Sequence, residues 1–278
     1  MEKQLFDKYE HLLTELRKLG SVAVAFSSGV DSAFLLYAAK EALGNRVLAI
    51  TATSPVFAHR EHTESIEFCK TYGIQQLFYE SDPLEKEHFR TNPKDRCYHC
   101  KKDLFTGLLE LAQQQGFPHL AEGSNMDDLG DYRPGMKAVE ELNVLSPLRD
   151  AGLYKSEIRA LSEHFGLPTW DKPSYACLAS RFAYGEPIEK EKLQRIDTAE
   201  QYLIDHGFKQ CRVRIHGDLV RIEVPPEDIP VIASDSFRVP LMKTMKELGF
   251  QYVSLDLQGY RTGSMNESII ENDPSGTS

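Results

Sequence analysis

Apolar residues fill Val22-Ala23-Val24-Ala25-Phe26, which predicts a short buried strand, and immediately afterwards the apolar period changes. Phe34, Leu35, Ala38, Ala39 and Ala42 recur at three- and four-residue spacing, and Gly44 ends the run, as in a helix. The same reading predicts strands at 46–54, 75–80, 119–123 and 143–148. Helices are expected at 59–73, with Ile66, Cys69 and Tyr72 facing inward, at 101–116 and at 155–165. The first twenty residues read as an amphipathic helix leading into the first strand. Strands that alternate with helices of this length imply an α/β fold, a doubly wound five-stranded parallel sheet. From Tyr184 the pattern changes to helix, two alternating strands around Gly217-Asp218, helix and strand. That order predicts a small α+β domain over 184–270, after a larger domain over 1–183. The polar residues 271–278 read as a disordered tail.

Composition narrows the class. The chain has 278 residues, 41% of them hydrophobic and 27% charged, as in an ordinary globular protein with a full core. A formal net charge of −10 argues against a broad nucleic-acid surface. No apolar run approaches the roughly 20 residues that span a bilayer, and the acidic, amphipathic N-terminus lacks a signal-peptide core. A cytoplasmic location is the expectation, in which the five cysteines serve chemistry, metal or packing rather than disulfides.

The turn after the first strand carries the first candidate chemistry. Ser27-Ser28-Gly29-Val30-Asp31-Ser32 is small and hydroxyl-rich, and it lies between a buried strand and a helix start. Helix-start amides and the dipole favour an anion, and the serines add donors. No Gly-Lys-Ser/Thr follows, so the turn is not a Walker loop. Ligands on such sheets bind at the carboxyl ends of strands. Thr53 ends the second strand among small residues that leave room for a nucleoside. After the fourth strand, Gly123, Asn125, Asp128 and Arg133 fall in a polar loop read as closing over nucleotide and acceptor. An Asp of that loop, or Asp31, is the candidate Mg²⁺ ligand. Lys101, beside the cysteines, and Arg181, just after Cys177, are candidates for neutralising a leaving group. Lys155 is a helix-start lysine that could reach the nucleotide. On the second domain, Glu200, Arg212, Arg214 and Arg261 are weaker candidates. The two strand arginines read either as a solvated ladder or as holders of a substrate phosphate or subunit contact.

Cys97-Tyr98-His99-Cys100 and Cys177 form the second constellation. Structural zinc with His99 as a further ligand, a redox dithiol, packing cysteines and a three-cysteine iron–sulfur cluster all remain open on spacing alone. Cys69 and Cys211 read as packing residues.

Two resemblances add to this. Ser27–Ser32 resembles the SGGxDS loop of the PP-loop ATP pyrophosphatases, with Ser28 where that family usually has glycine. The run of SSGVDS, CYHCKK, GSNMDDLGDYRPG, the stretch from SPLRD through ACLASRFAYG, and RVRIHGDLVRIEV is similar to the LarE family over nearly the whole chain. Those are PP-loop sulfur transferases of nickel-pincer nucleotide cofactor synthesis. The resemblance implies that ATP adenylates a carboxylate of pyridinium-3,5-biscarboxylic acid mononucleotide, after which sulfur displaces AMP. One kind in that family sacrifices the sulfur of the cysteine matching Cys177. The other adds a CxxC and carries sulfide on a [4Fe-4S] cluster, and Cys97, Cys100 and Cys177 place this chain with it. The resemblance also implies ATP and Mg²⁺ as cofactors, a small-molecule nucleotide substrate and a homo-oligomer such as a hexamer. A tRNA-thiolating PP-loop enzyme and a non-catalytic nucleotide- or metal-binding protein are the alternatives.

Overall fold

The computed structural model describes residues 2–130 and 134–261. The chain divides into two compact units, Met1–Pro83 with Lys94–Tyr175, and Leu84–Pro93 with Ala176–Ser278. In chain order the first elements are α1 (Glu2–Leu19), β1 (Val22–Ala25), α2 (Val30–Leu43), β2 (Val47–Thr53), α3 (His59–Thr71) and β3 (Gln75–Glu80). The short α4 (Glu87–Arg90) belongs to the smaller unit. Then follow α5 (Arg96–Gln114), β4 (Leu120–Ala121), α6 (Pro134–Glu141), α7 (Pro147–Asp150) and α8 (Lys155–His164).

All strands of the larger unit's sheet run parallel, in the order β3-β2-β1-β4. Successive strand residues point to opposite faces. Val22, Val24 and Ala49 therefore join the core under α1, α2 and α8, while Ala23, Leu48 and Ile50 join the one under α5 and α6. Burial on both faces explains why β1 and β2 read as near-continuous apolar runs. The chain winds outward from β1 to β3 and then returns to place β4 on the other side of β1. The switch point lies between β1 and β4.

Several expectations change. Among the described residues the sheet has four strands rather than five, because the segment expected as a fifth makes a single parallel bridge, Ala121 to Leu145. Pro147, at the start of α7, has no amide hydrogen to continue a ladder. Ile66 is exposed, and α3 instead buries Ser65, Phe68 and Cys69. Helix α5 begins five residues earlier than expected, so Cys97 and Cys100 lie within its first two turns. Among the described residues, no helix is long and apolar enough to cross a membrane.

The smaller unit continues with α9 (Lys190–Asp205), β5 (Arg212–His216), β6 (Leu219–Glu223), α10 (Ile229–Ala233), α11 (Asp235–Glu247) and β7 (Tyr252–Leu255). β5 and β6 form the antiparallel hairpin, and β7 adds to β6 in parallel. The unit takes in Leu84–Pro93 because that segment is tied to residues after Cys177. The Ile188 and Gly185 amides donate to the Arg90 and Asn92 carbonyls, and the Asn92 side chain donates to the Ala183 carbonyl. Arg133 and the tail 271–278 lie outside the described residues.

Candidate active site

In the larger unit the site is built on the turn between β1 and α2. Gly29 is the N-cap of α2, and no side chain caps the helix, which leaves its first amides to an incoming anion. The Ser27 and Ser32 hydroxyls lie 3.1 Å apart, and Ser32 Oγ donates to the Gly29 carbonyl at 3.2 Å. The left-handed residue of the turn is Ser28, with φ +55°, whereas Gly29 has an ordinary φ of −74°. The glycine of the family pattern is thus replaced at the position whose backbone favours glycine most. Ser28 is buried, and its hydroxyl donates to the Glu61 carbonyl.

Asp31, in the first turn of α2, is paired with Lys155 Nζ from the start of α8. Burial pushes the Asp31 carboxyl above the usual carboxylate range, Lys155 pulls it back only in part, and Asp128 adds to the rise. Asp31 Oδ1 is buried without a hydrogen-bond partner among the described residues, and a carboxylate oxygen of that kind suits a hard cation such as Mg²⁺. The loop after β4 closes on the same turn. Its Asp128 Oδ2 accepts from the Asn125 amide at 2.9 Å, and its Asp127 accepts from the Lys155 amide at 2.7 Å. Buried Glu122 accepts from Ser146 and Ser124, at 2.6 and 2.8 Å, which fixes the end of β4. Loop and turn are therefore brought together at the switch point, as the carboxyl-end rule requires. Thr53 is half-buried at the end of β2.

Sequence reasoning missed Lys172, Arg60 and Tyr175 beside this turn. Lys172 donates to the Ser28 carbonyl and hydroxyl and pairs with Glu64. Arg60 stacks on the Tyr175 ring at 4.4 Å, and its Nε and Nη1 are buried with no hydrogen-bond partner among the described residues. Separations of more than a hundred residues leave no local pattern that would join Lys172 to the turn.

Cys97 and Cys100 are half-buried near the start of α5, three residues apart and so on one helix face. Buried Arg96 donates to Cys97 Sγ at 3.6 Å. His99 instead faces Asp95 at 3.3 Å. Lys101 lies along Gly135, where a β-carbon would come within 2.6 Å of the lysine chain, and Lys102 is paired with Glu141. Cys69 differs from this pair: burial pushes its thiol up to about 12, so it stays protonated core.

In the smaller unit, half-buried Cys177 precedes a 3-10 turn, Leu178–Arg181. Arg181 is fully buried, and its Nε and Nη2 donate to the two oxygens of Glu200 at 2.8 Å each. Its Nη1 donates to the carbonyls of Ala176 and Cys177 and to Ser180 Oγ. The geometry makes this pair a clamp on the Cys177 backbone, with every guanidinium nitrogen on a protein acceptor. Glu200 Oε1 also accepts from the Val213 amide. Arg212 and Arg214 are buried, not a solvated ladder. Arg214 pairs with Glu223 at 2.6 Å and donates to the Ser180 carbonyl, and Arg212 stacks on Tyr260. Arg261 sits 3.6 Å from Asp256. Three guanidinium groups therefore share the interior with two carboxylates near Cys177. Burial, and then Arg181, push the Arg212 guanidinium below its ordinary value.

A parallel sheet with an uncapped, serine-rich anion turn at its switch point is the arrangement of an α/β protein that binds a phosphate-bearing ligand. No family model matches the chain. The chain is 35% identical to pyridinium-3,5-bisthiocarboxylic acid mononucleotide synthase of Lactiplantibacillus plantarum, over 96% of each protein. It is 40% identical to an uncharacterized protein of Synechocystis, over 96% of this chain and all of that one. An NH(3)-dependent NAD(+) synthetase of Wolinella succinogenes is 24% identical over 71% of the chain and 77% of its own length. The chain belongs to the family of pyridinium-3,5-bisthiocarboxylic acid mononucleotide synthase, LarE, and is an ATP-dependent sulfurtransferase enzyme.

Proposed function

We propose that the protein adenylates a carboxylate of pyridinium-3,5-biscarboxylic acid mononucleotide and converts it to a thiocarboxylate, as one step of nickel-pincer cofactor synthesis. The observation that carries this reading is the uncapped start of α2 beside the paired Asp31 and Lys155. Ser27, Ser32 and the first amides of α2 bind the pyrophosphate part of ATP, where the helix dipole favours the leaving anion. Asp31, with Asp128 nearby, would hold Mg²⁺, which neutralises phosphate charge when bound. A substrate carboxylate oxygen attacks the α-phosphorus and pyrophosphate leaves. Sulfur then attacks the acyl carbon and AMP leaves with its electron pair.

The sulfur site is read from Cys97, Cys100 and Cys177. Their donor chemistry fits an iron–sulfur cluster: three thiol sulfurs, two on one helix face, each half-buried. These three cysteines would hold a [4Fe-4S] cluster, which when bound supplies an iron site open to an exogenous sulfide. In the smaller unit Arg181 holds the Cys177 backbone, and in the larger unit Arg96 donates to Cys97. The substrate is a small-molecule nucleotide, the protein acts in the cytoplasm, and it assembles as a homo-oligomer.

The test is pyrophosphate release from ATP with and without the mononucleotide, on anaerobically reconstituted protein supplied with sulfide. Mononucleotide-dependent release and a product with oxygen replaced by sulfur are expected. RNA-dependent release would favour a tRNA-thiolating enzyme. No release with any acceptor would leave a nucleotide-binding protein.

A further inference from the structure

We propose that Lys172 is a positioning residue of the phosphate turn, acting through Ser28; this rests on the ATP-binding reading above. Ser28 holds a left-handed backbone, φ +55°, although it carries a β-carbon and is buried. Left alone, a serine relaxes toward negative φ, and glycine does not need to. Relaxation of Ser28 would turn the peptide groups on either side of it and re-aim the Gly29 amide that opens the anion site.

Lys172 opposes this directly. Its Nζ donates to the Ser28 carbonyl at 2.8 Å and to the Ser28 hydroxyl at 3.2 Å, and it also pairs with Glu64. The hydroxyl in turn donates to the Glu61 carbonyl at 3.1 Å, so both the carbonyl and the hydroxyl of Ser28 are held. The lysine is itself positioned. Arg159, on α8, donates to the carbonyls of Trp170 and Lys172, and the Lys172 side chain is only 11% exposed. A compact, nearly buried ammonium whose own backbone is tethered by Arg159 holds the Ser28 carbonyl in place, and it replaces the freedom that a glycine would have given the turn.

The experiment measures ATP and inorganic pyrophosphate affinity by titration, and KM for ATP against kcat, for Lys172→Met in the wild-type and Ser28→Gly backgrounds. Lys172→Met is expected to weaken both ligands at least tenfold, to act on KM more than on kcat, and to weaken them less than threefold once Ser28 is glycine. Equal losses in both backgrounds would overturn the proposal, because Lys172 would then touch the anion itself. Affinity within twofold of wild type would overturn it as well. A Lys172→Met that does not fold hands the same two arms to Lys172→Arg, whose planar fork cannot reproduce a point contact. Wild-type protein that binds neither ligand would instead refute the ATP-binding reading.

Discussion

Gly123 backs directly onto the amide of Ser32: a β-carbon added at Gly123 would come within 2.9 Å of the Ser32 nitrogen. The loop after β4 and the first turn of α2 are thus in backbone contact, and the amides that receive an anion are held by the neighbouring strand's loop. Gly123→Ala must displace backbone, which has no flexible end to yield. ATP affinity is expected to fall at least tenfold while far-ultraviolet dichroism stays unchanged. Titration with ATP checks it, and wild-type affinity in the alanine variant would refute the contact.

Asp31 is held against its own stability. Its folded pKa is raised, so its contribution to stability is present below the unfolded value of roughly 3.9 and is lost as pH rises through the folded value. At pH 7 the ionised group therefore opposes folding, consistent with a carboxylate kept for function. Asp31→Asn should abolish pyrophosphate release and raise the melting temperature at pH 7, with the gain shrinking toward pH 4. A lower melting temperature at pH 7 would show that the pair with Lys155 outweighs burial.

Glu200 carries the opposite sign. Burial pushes its carboxyl up, but Arg181, then Arg212 and the Val213 amide, more than reverse this and leave it below the usual carboxylate range. Its stabilisation is present above the unfolded value of roughly 4.3 and is lost as pH falls through the folded one. Glu200→Gln leaves the Arg181 charge uncompensated in the interior, at about 3–5 kcal/mol of stability. Denaturant unfolding at pH 7 and pH 4 measures both the loss and its decrease in acid.

The cysteines separate by environment. Anaerobically reconstituted protein should show a broad sulfur-to-iron charge-transfer band that is lost in Cys97→Ala, Cys100→Ala and Cys177→Ala and retained in Cys69→Ala. Zinc without iron in the reconstituted wild type would demote Cys97 and Cys100 to a structural site and leave Cys177 as a sacrificial sulfur source.

Much of this was legible along the chain because its causes are local. The continuous apolar run of β1, the helical period of α2 and the hydroxyl-rich turn between them each depend on residues close together along the chain. The expected fifth strand failed at Leu145 because a strand is defined by its partner, and only one bridge forms there. Ile66 has a core residue's chemistry, but it faces outward because the packing of α3 turns Phe68 and Cys69 inward.

The sequence by itself determined the alternating α/β order, the position of the phosphate turn and the three cysteines with their spacing, since each is set by composition and short-range period. Only the tertiary structure decided which charges meet. Lys155 reaches Asp31, Lys172 reaches Ser28, and Arg181 lies buried on Glu200 instead of standing free. Coulomb and hydrogen-bond energies depend on distance in space, and the partners in the phosphate turn lie more than a hundred residues away along the chain.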